Sequence, residues 1–407
     1  MPDNAHEDTF DVMLVFGSPS EAVKMAPVVL ELQKRNGLRA NTVSTSPGCE
    51  MLGQVLDHFN IVPDYEIDVI HSLQTMTQII GQTAAGLRNL FDRCRPDLVL
   101  VQGDTATALS AALTAFHHKI RVGHLEAGLR TYNKHAPFSE EVYRRMISAI
   151  AHYHFCPTEG NRENLLSERV DPQTIRVTGN TVIDALRYTL RNGYETHWMD
   201  REPCTGHKLV LVTASRRENF GEPLRNICRA LIDLTEEFDD LLFIYPVHSN
   251  PQVRDTVYSM LSGRDRIVLT DPLGYGELCR LMNRSHLVLT DSGILQEQAP
   301  SLGKPVILLR SETERPEAVA AGAVKVVGTE TRDIVEQTAG LLRDSAAYSS
   351  IARAIDAYGD GAAAVRIVDF LQQTLCGPAE AAGEEDVEPP CLYHSVVPGL
   401  KQLPPLP

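Results

Sequence analysis

Three carboxylates in this 407-residue chain stand where chemistry would want them. Asp104 follows the apolar run of DLVLVQGDTATAL, Glu126 lies among small residues in GHLEAGLRT, and Glu140 opens the amphipathic stretch of PFSEEVYRR. Like charges in one site push one pKa up, which leaves one group ionised as a base and another protonated as an acid. That is equipment for moving a proton. Each residue also has a plainer reading: Asp104 as a helix N-cap, Glu126 as half of an ion pair with Arg130, and Glu140 with Glu141 as first-turn carboxylates favoured by a helix dipole.

A second group of residues suits an anion. In KLVLVTASRRENFG the apolar run stops at Ala214-Ser215, and Arg216, Arg217 and Glu218 follow at a strand-to-helix turn. TDSGILQEQAPSLGKP is a glycine turn leading into a helix, with Ser292 and backbone N–H groups available to an anion or hydroxyl. SETERPEA adds Glu314, Arg315 and Glu317, which also suit a helix capped by its own charges. His248 in IYPVHSNP ends another apolar run, where a histidine packs or caps as readily as it catalyses. His117, His118, His152 and His154 lack partners at ligand spacing, so no metal site is expected.

Something must hold these residues in register. Apolar runs without alternation predict strands at 11–17, 40–46, 97–103, 121–127 and 174–180, and again at 208–214, 240–247, 266–272, 286–292 and 305–311. Such strands are buried on both faces, so the sheets should be parallel with helices on either side. The stretch 191–207 breaks the pattern. The fold class is therefore α/β, two doubly wound Rossmann-like domains facing one cleft, with the polar residues past each strand end on its rims. The Pro-rich, acidic stretch 376–407 is expected to be a disordered tail.

Composition excludes some partners. The net charge of −15 with no basic tract argues against broad nucleic-acid or anionic-membrane contact. No apolar run approaches the roughly 18 residues of a membrane span, and no signal peptide is visible. The eight cysteines show no CxxC spacing, which predicts reduced thiols and a cytoplasmic protein.

The order of the motifs FGSPSEAVKMAPVV, GDTATAL, GHLEAGLRT, SEEVYRR, VTGNTVIDAL, RRENFG, YPVHSNP, LQEQAPSLGKPV and TERPEA resembles the non-hydrolysing UDP-N-acetylglucosamine 2-epimerases from about residue 11 to 375. The resemblance implies a GT-B-like fold divided at 10–185 and 186–357, with 358–375 returning to the first domain, and a homodimer. It implies a reaction in which the C2 proton is removed while UDP leaves C1, giving a glycal, and the pair is added back with C2 inverted. Carried onto this chain, the acid/base candidates are Asp104, Glu126 and Glu140. The substrate-binding positions are Lys24, Arg144, Asn180, Ser215, Arg216, Glu218, His248, Ser292, Gly293, Gln298 and Arg315. The family implies no cofactor.

Five departures shape the functional expectation. The family's Gly-Thr-Arg-Pro-Glu is Gly17-Ser18-Pro19-Ser20-Glu21 here, its Gly-His-Arg-Arg-Glu is Ala214-Ser215-Arg216-Arg217-Glu218, and its Ser-Gly-Gly is Ser292-Gly293-Ile294. The acid that holds the ribose hydroxyls is Gln298, and the Gln-His linked to activation by a second substrate molecule is Pro47-Gly48. Three of these changes fall on diphosphate contacts, each charge-assisted bond being worth about 1.5–3 kcal/mol. They predict a repurposed dehydratase or lyase acting on a nucleoside or nucleoside-like sugar without a diphosphate, with NAD required only if an unactivated C–H is eliminated. The alternatives are a genuine UDP-N-acetylglucosamine 2-epimerase with altered diphosphate contacts and a non-catalytic nucleotide-binding protein.

Overall fold

Valine, leucine and isoleucine runs build two sheets. The computed structural model describes residues 9–69, 74–193, 199 and 204–376. The first sheet contains β1 (Phe10–Phe16), β2 (Leu38–Ser44), β3 (Tyr65–Glu66), β4 (Leu98–Gln102), β5 (Arg121–Leu125), β6 (Tyr153–Cys156) and β7 (Ile175–Val177), in the order β3-β2-β1-β4-β5-β6-β7. The second contains β8 (Lys208–Thr213), β9 (Leu241–Pro246), β10 (Ile267–Thr270), β11 (Leu287–Thr290), β12 (Val306–Leu308) and β13 (Val324–Val326), in the order β10-β9-β8-β11-β12-β13. Every pairing is parallel. All five residues of β4 and all four of β11 are buried, as strands covered on both faces require.

Helices make the crossovers. Around the first sheet lie α1 (Pro19–Leu32), α2 (Glu50–His58), α3 (Met76–Phe91), α4 (Ala106–His117), α5 (Glu140–Ile150), α6 (Glu159–Ser167) and α7 (Thr181–Arg191). Around the second lie α8 (Glu222–Glu237), α9 (Pro251–Leu261), α10 (Tyr275–Arg284), α11 (Gly293–Ser301), α12 (Glu317–Ala320), α13 (Thr331–Arg343) and α14 (Ser345–Ile351). The last helix, α15 (Ala363–Cys376), packs on α1 and α7. One apolar cluster is shared by the two sheets: it runs from Leu14 on β1 through Val182 and Leu186 on α7 to Leu295 on α11 and Leu211 on β8.

The ten expected strands all form, and three more accompany them. β3 and β13 are two and three residues long, too short to stand out as apolar runs. β6 reads as polar because of His154, but that ring is buried, with Nε2 3.0 Å from the Ser148 carbonyl. A satisfied imidazole packs like an aromatic residue. The linker expected at 191–207 lies largely outside the described residues. So does the tail expected at 376–407, except Cys376, which ends α15.

Strand order reverses between β1 and β4 and between β8 and β11. Ligand crevices form beyond the carboxyl ends of strands at such points. Behind them, α15 is anchored by a side chain from another helix. The Ala363 and Ala364 N–H groups donate to the Asp184 carboxylate of α7 at 3.2 and 2.9 Å. Burial pushes that carboxyl up to about 6, against the pull of the two donors. A folded pKa above the ordinary 3.8 means that the stabilisation is greatest at low pH and is lost as pH rises through about 6. Asp184→Ala is expected to cost about 1 kcal/mol in urea unfolding, the value of a lost cap. The gap from wild type should be wider at about pH 5 than at about pH 7.5; an equal gap would show that the carboxyl titrates normally.

Candidate active site

The first rim begins where β1 turns into α1. The Ser18 hydroxyl caps the helix by accepting the Glu21 N–H at 3.3 Å, and Pro19 sits in the first turn with its φ already set. The helix thereby carries Lys24 inward, to 4% exposure. Beyond β4, Gly103 takes φ 69° and Thr105 caps α4, accepting the Ala108 N–H at 2.9 Å. Asp104 is therefore no cap. Its Oδ2 accepts the Arg144 Nε at 3.0 Å and Nη2 at 2.5 Å.

Beyond β5, Glu126 adopts φ 64°, the left-handed region that residues with side chains rarely enter. That turn drops its carboxylate among Lys24 Nζ at 2.6 and 2.5 Å, Asn180 Nδ2 at 3.0 Å, Arg315 Nη2 at 3.3 Å and the Gln102 amide. Burial alone would raise its pKa, but the Lys24 and Arg315 charges and the Lys24 and Asn180 hydrogen bonds outweigh it and hold the group down at about 2. The ion pair expected with Arg130 does not form. Arg130 binds Glu168 at 2.8 Å.

At the start of α5 two adjacent glutamates part ways. Glu141 turns inward, accepts the Thr131 and Tyr132 N–H groups at 3.0 Å each, and lies 3.4 Å from Arg144. Glu140 stays half-buried, and its Oε2 has no hydrogen-bond partner among the described residues. Burial raises the Glu140 pKa, and the Asp104 charge raises it further against Arg216 and Arg144. An ionisable group with an unsatisfied oxygen is what a proton-transfer site requires.

The second rim supplies cations. Glu140, Ser215, Arg216, Glu218, Arg310 and Glu314 all line a cleft of about 890 Å³ between the two sheets. Beside it, Arg315 is buried between Glu297, Glu314 and Glu126, within ion-pair distance of all three. Gly293 permits this, because a Cβ there would come within 3.0 Å of the Arg315 guanidinium. Glu297 also accepts Asn180 Nδ2 at 2.9 Å. Ser292, half-buried, begins the turn into α11, its own N–H given to Thr290 Oγ1 at 2.9 Å.

The structure thus joins Lys24, Glu126, Asn180 and Arg315 in one cluster, and sets Asp104, Arg144, Glu140 and Arg216 beside or around the cleft. Two expected positions are not among the residues lining the cleft. His248 is exposed, and its Nδ1 accepts at 3.0 Å the N–H of Asn250, the residue that caps α9. Gln298 is buried against α7 and α10, donating to the Val182 carbonyl at 3.0 Å and the Tyr275 hydroxyl at 2.7 Å. Among the residues that sequence reasoning missed is its neighbour Glu297. Helical spacing held the signal, since i and i+4 from Gly293 share a face and i+5 does not. Among the described residues no cluster suits a metal, and no helix is long and apolar enough to cross a membrane.

Removing Lys24 tests the cluster. Lys24→Met leaves Glu126 buried with one cation fewer and is expected to cost about 3 kcal/mol in urea unfolding. Adding Glu126→Gln should recover part of that loss, because no under-compensated charge remains. A Lys24→Met protein as stable as wild type would show that Lys24 does not compensate the buried Glu126 charge.

Known proteins resemble this chain across its length. The family model described as UDP-N-acetylglucosamine 2-epimerase matches residues 30–372. UDP-N-acetylglucosamine 2-epimerase of Bacillus subtilis is 46% identical over 360 residues, covering 88% of this chain and 94% of its own. The enzyme of that name from Escherichia coli K12 is 44% identical over 368 residues, covering 89% and 98%. The crystal structure of the Neisseria meningitidis enzyme bound to UDP-GlcNAc superposes with a TM-score of 0.86 at 43% identity, over 89% of this chain and all of that one. The dehydratase or lyase expected from the five departures finds no support among these relatives, whereas the epimerase alternative does. Likeness of this extent, across both sheets and nearly the whole of each relative, makes the chain a member of the UDP-N-acetylglucosamine 2-epimerase family of enzymes.

Proposed function

We propose that the chain interconverts UDP-N-acetylglucosamine and UDP-N-acetylmannosamine by inverting C2 of the sugar. The observation that carries this reading is the pairing, across one cleft, of a carboxyl with a raised pKa, Glu140, and a guanidinium, Arg216, within electrostatic reach of each other. One group suits the C2 proton and the other the diphosphate leaving from C1. The relatives, epimerases at 44–46% identity, support the same reading.

In this mechanism a carboxylate takes the C2 proton while the C1–O bond breaks and its electron pair departs with UDP. The glycal then takes a proton on the opposite face of C2, and UDP adds back to C1. Glu140 is the carboxylate best placed to exchange a proton, with Asp104, oriented by Arg144, as its partner. Glu126 supports them from behind. Its low pKa makes it a weak base but a permanent charge for Lys24 and Arg315. Departure of UDP makes the C2 proton acidic, so the route needs no nicotinamide. Where Pro19 and Ser215 replace cationic or donor side chains, Arg216, Arg217 and Arg310 line the cleft and can meet a diphosphate with charge-assisted bonds. The reading includes a homodimer acting in the cytoplasm, as the resemblance and the scattered cysteines suggest. It also includes the domain division at 185/186, with 358–375 belonging to the first domain.

The test is incubation with UDP-N-acetylglucosamine in deuterated water, followed by mass spectrometry and NMR. Deuterium at C2 with formation of the manno epimer is expected; loss of water from the sugar would restore the lyase reading instead. Glu140→Gln should lower turnover by about 10²–10⁴. Because a base works only when ionised, activity should fall as pH drops through the Glu140 pKa, which lies above its ordinary 4.5. Arg216→Gln removes a charge that lowers this pKa, so the acid limb of kcat/KM should move to higher pH. A limb unmoved by that variant would separate Arg216 from Glu140.

A further inference from the structure

A buried carboxylate outside the roles described so far is bound to the loop that carries Arg216. Asp291 follows β11 and is 1% exposed, yet it does not line the cleft. Its Oδ2 accepts three donors from one loop: the Ser215 N–H at 2.8 Å, the Arg216 N–H at 2.8 Å and Asn219 Nδ2 at 2.9 Å. The Asp291 backbone carbonyl accepts Arg216 Nε at 3.3 Å. Asn219 also donates to the Leu309 carbonyl at 3.1 Å, and the Asp291 N–H donates to the Thr213 carbonyl at 3.1 Å. The loop is therefore fastened to the ends of three adjacent strands, β8, β11 and β12.

Two successive backbone N–H groups converging on one oxygen make a nest, a concavity that commonly receives a phosphate oxygen. Here the protein's own carboxylate oxygen occupies it. We propose that Asp291 is a positioning residue, an internal anion that fills the nest at the end of β8 and so aims the Arg216 guanidinium at the diphosphate of the ligand. The choice of ligand rests on the epimerase reading; the geometry of the nest does not. It follows that the diphosphate is met at this strand end by the Arg216 side chain, with the Ser215 and Arg216 amides withheld from it. Binding here then depends on one side chain's direction, and Asp291 sets that direction through two bonds, one to the Arg216 amide and one to its Nε.

Amide hydrogen exchange, kinetics and calorimetry with UDP test this together. In the wild type the Ser215 and Arg216 amides should exchange slowly without ligand and gain no protection from UDP. Asp291→Asn should speed their exchange and raise KM for UDP-N-acetylglucosamine, and Kd for UDP, by about tenfold, the value of a weakened charge-assisted contact, with a smaller change in kcat. Arg216→Gln should raise KM comparably, and the double variant should be no worse than Arg216→Gln alone, since Asp291 acts through Arg216. Asn219→Ala, which removes one donor and leaves the carboxylate in place, should shift KM in the same direction by less, and it serves if Asp291→Asn fails to fold. Fast exchange in the wild type, new protection of these two amides by UDP, or effects of the two substitutions that multiply would each overturn the proposal. Absence of turnover on UDP-N-acetylglucosamine would sink the epimerase reading, while the exchange of the two amides would still decide whether Asp291 fills the nest.

Discussion

One buried guanidinium shared by three carboxylates governs the geometry of this enzyme. Arg315 meets Glu297 and Glu314 from the second sheet's side and Glu126 from the first, and Lys24 closes the cluster against Glu126 at 2.5 Å. Bringing so many charges out of water is costly, and such a cluster persists only when nearly every oxygen and N–H finds a partner. Asn180 supplies that completeness by donating to both Glu126 and Glu297. Apolar packing through α7 and α11 brings the sheets together, but packing alone tolerates sliding. Fixed bonds between charges do not.

Different partners explain why three carboxylates of one motif set differ in character. Glu126 is sunk into cations by a left-handed turn and stays ionised. Asp104 is gripped by Arg144. Glu140, one helix turn from Arg144, keeps an oxygen unbonded among the described residues and a raised pKa. In the proposed mechanism, environments that set titratable groups apart in this way divide proton transfer from electrostatic support. The division follows from burial and partners, because all three side chains are chemically near-identical.

The anion side follows the same economy of contacts. The departures at Pro19 and Ser215 read, in isolation, as a dismantled diphosphate site. In the folded protein the loop bearing Ser215 is fastened by Asp291, and arginines at 216, 217 and 310 line the cleft. Gln298 faces the packing between α7 and α10 and so bears on their docking.

Strand positions, sheet parallelism and family were legible in the chain because each is carried by local pattern or by motif order. β1, β4 and β8 are dominated by apolar runs, and a run buried on both faces can only belong to a sheet with helices above and below. The polar residues after those strands were legible for the same reason, since strand ends face the crevice. Their partners were not. Lys24 meets Glu126 across 102 residues and Arg315 meets it across 189, so no local spacing announces either contact. Local chemistry suggested Arg130 for Glu126 and a cap for Asp104, and both gave way to partners supplied by other strands and helices. β6 escaped notice because a buried histidine reads as polar until its hydrogen bonds are known. Short-range pattern decides where a chain is strand, helix or turn; which charges neutralise one another is decided only when tertiary packing takes them out of water together, because burial is what makes an unpaired charge too costly to keep.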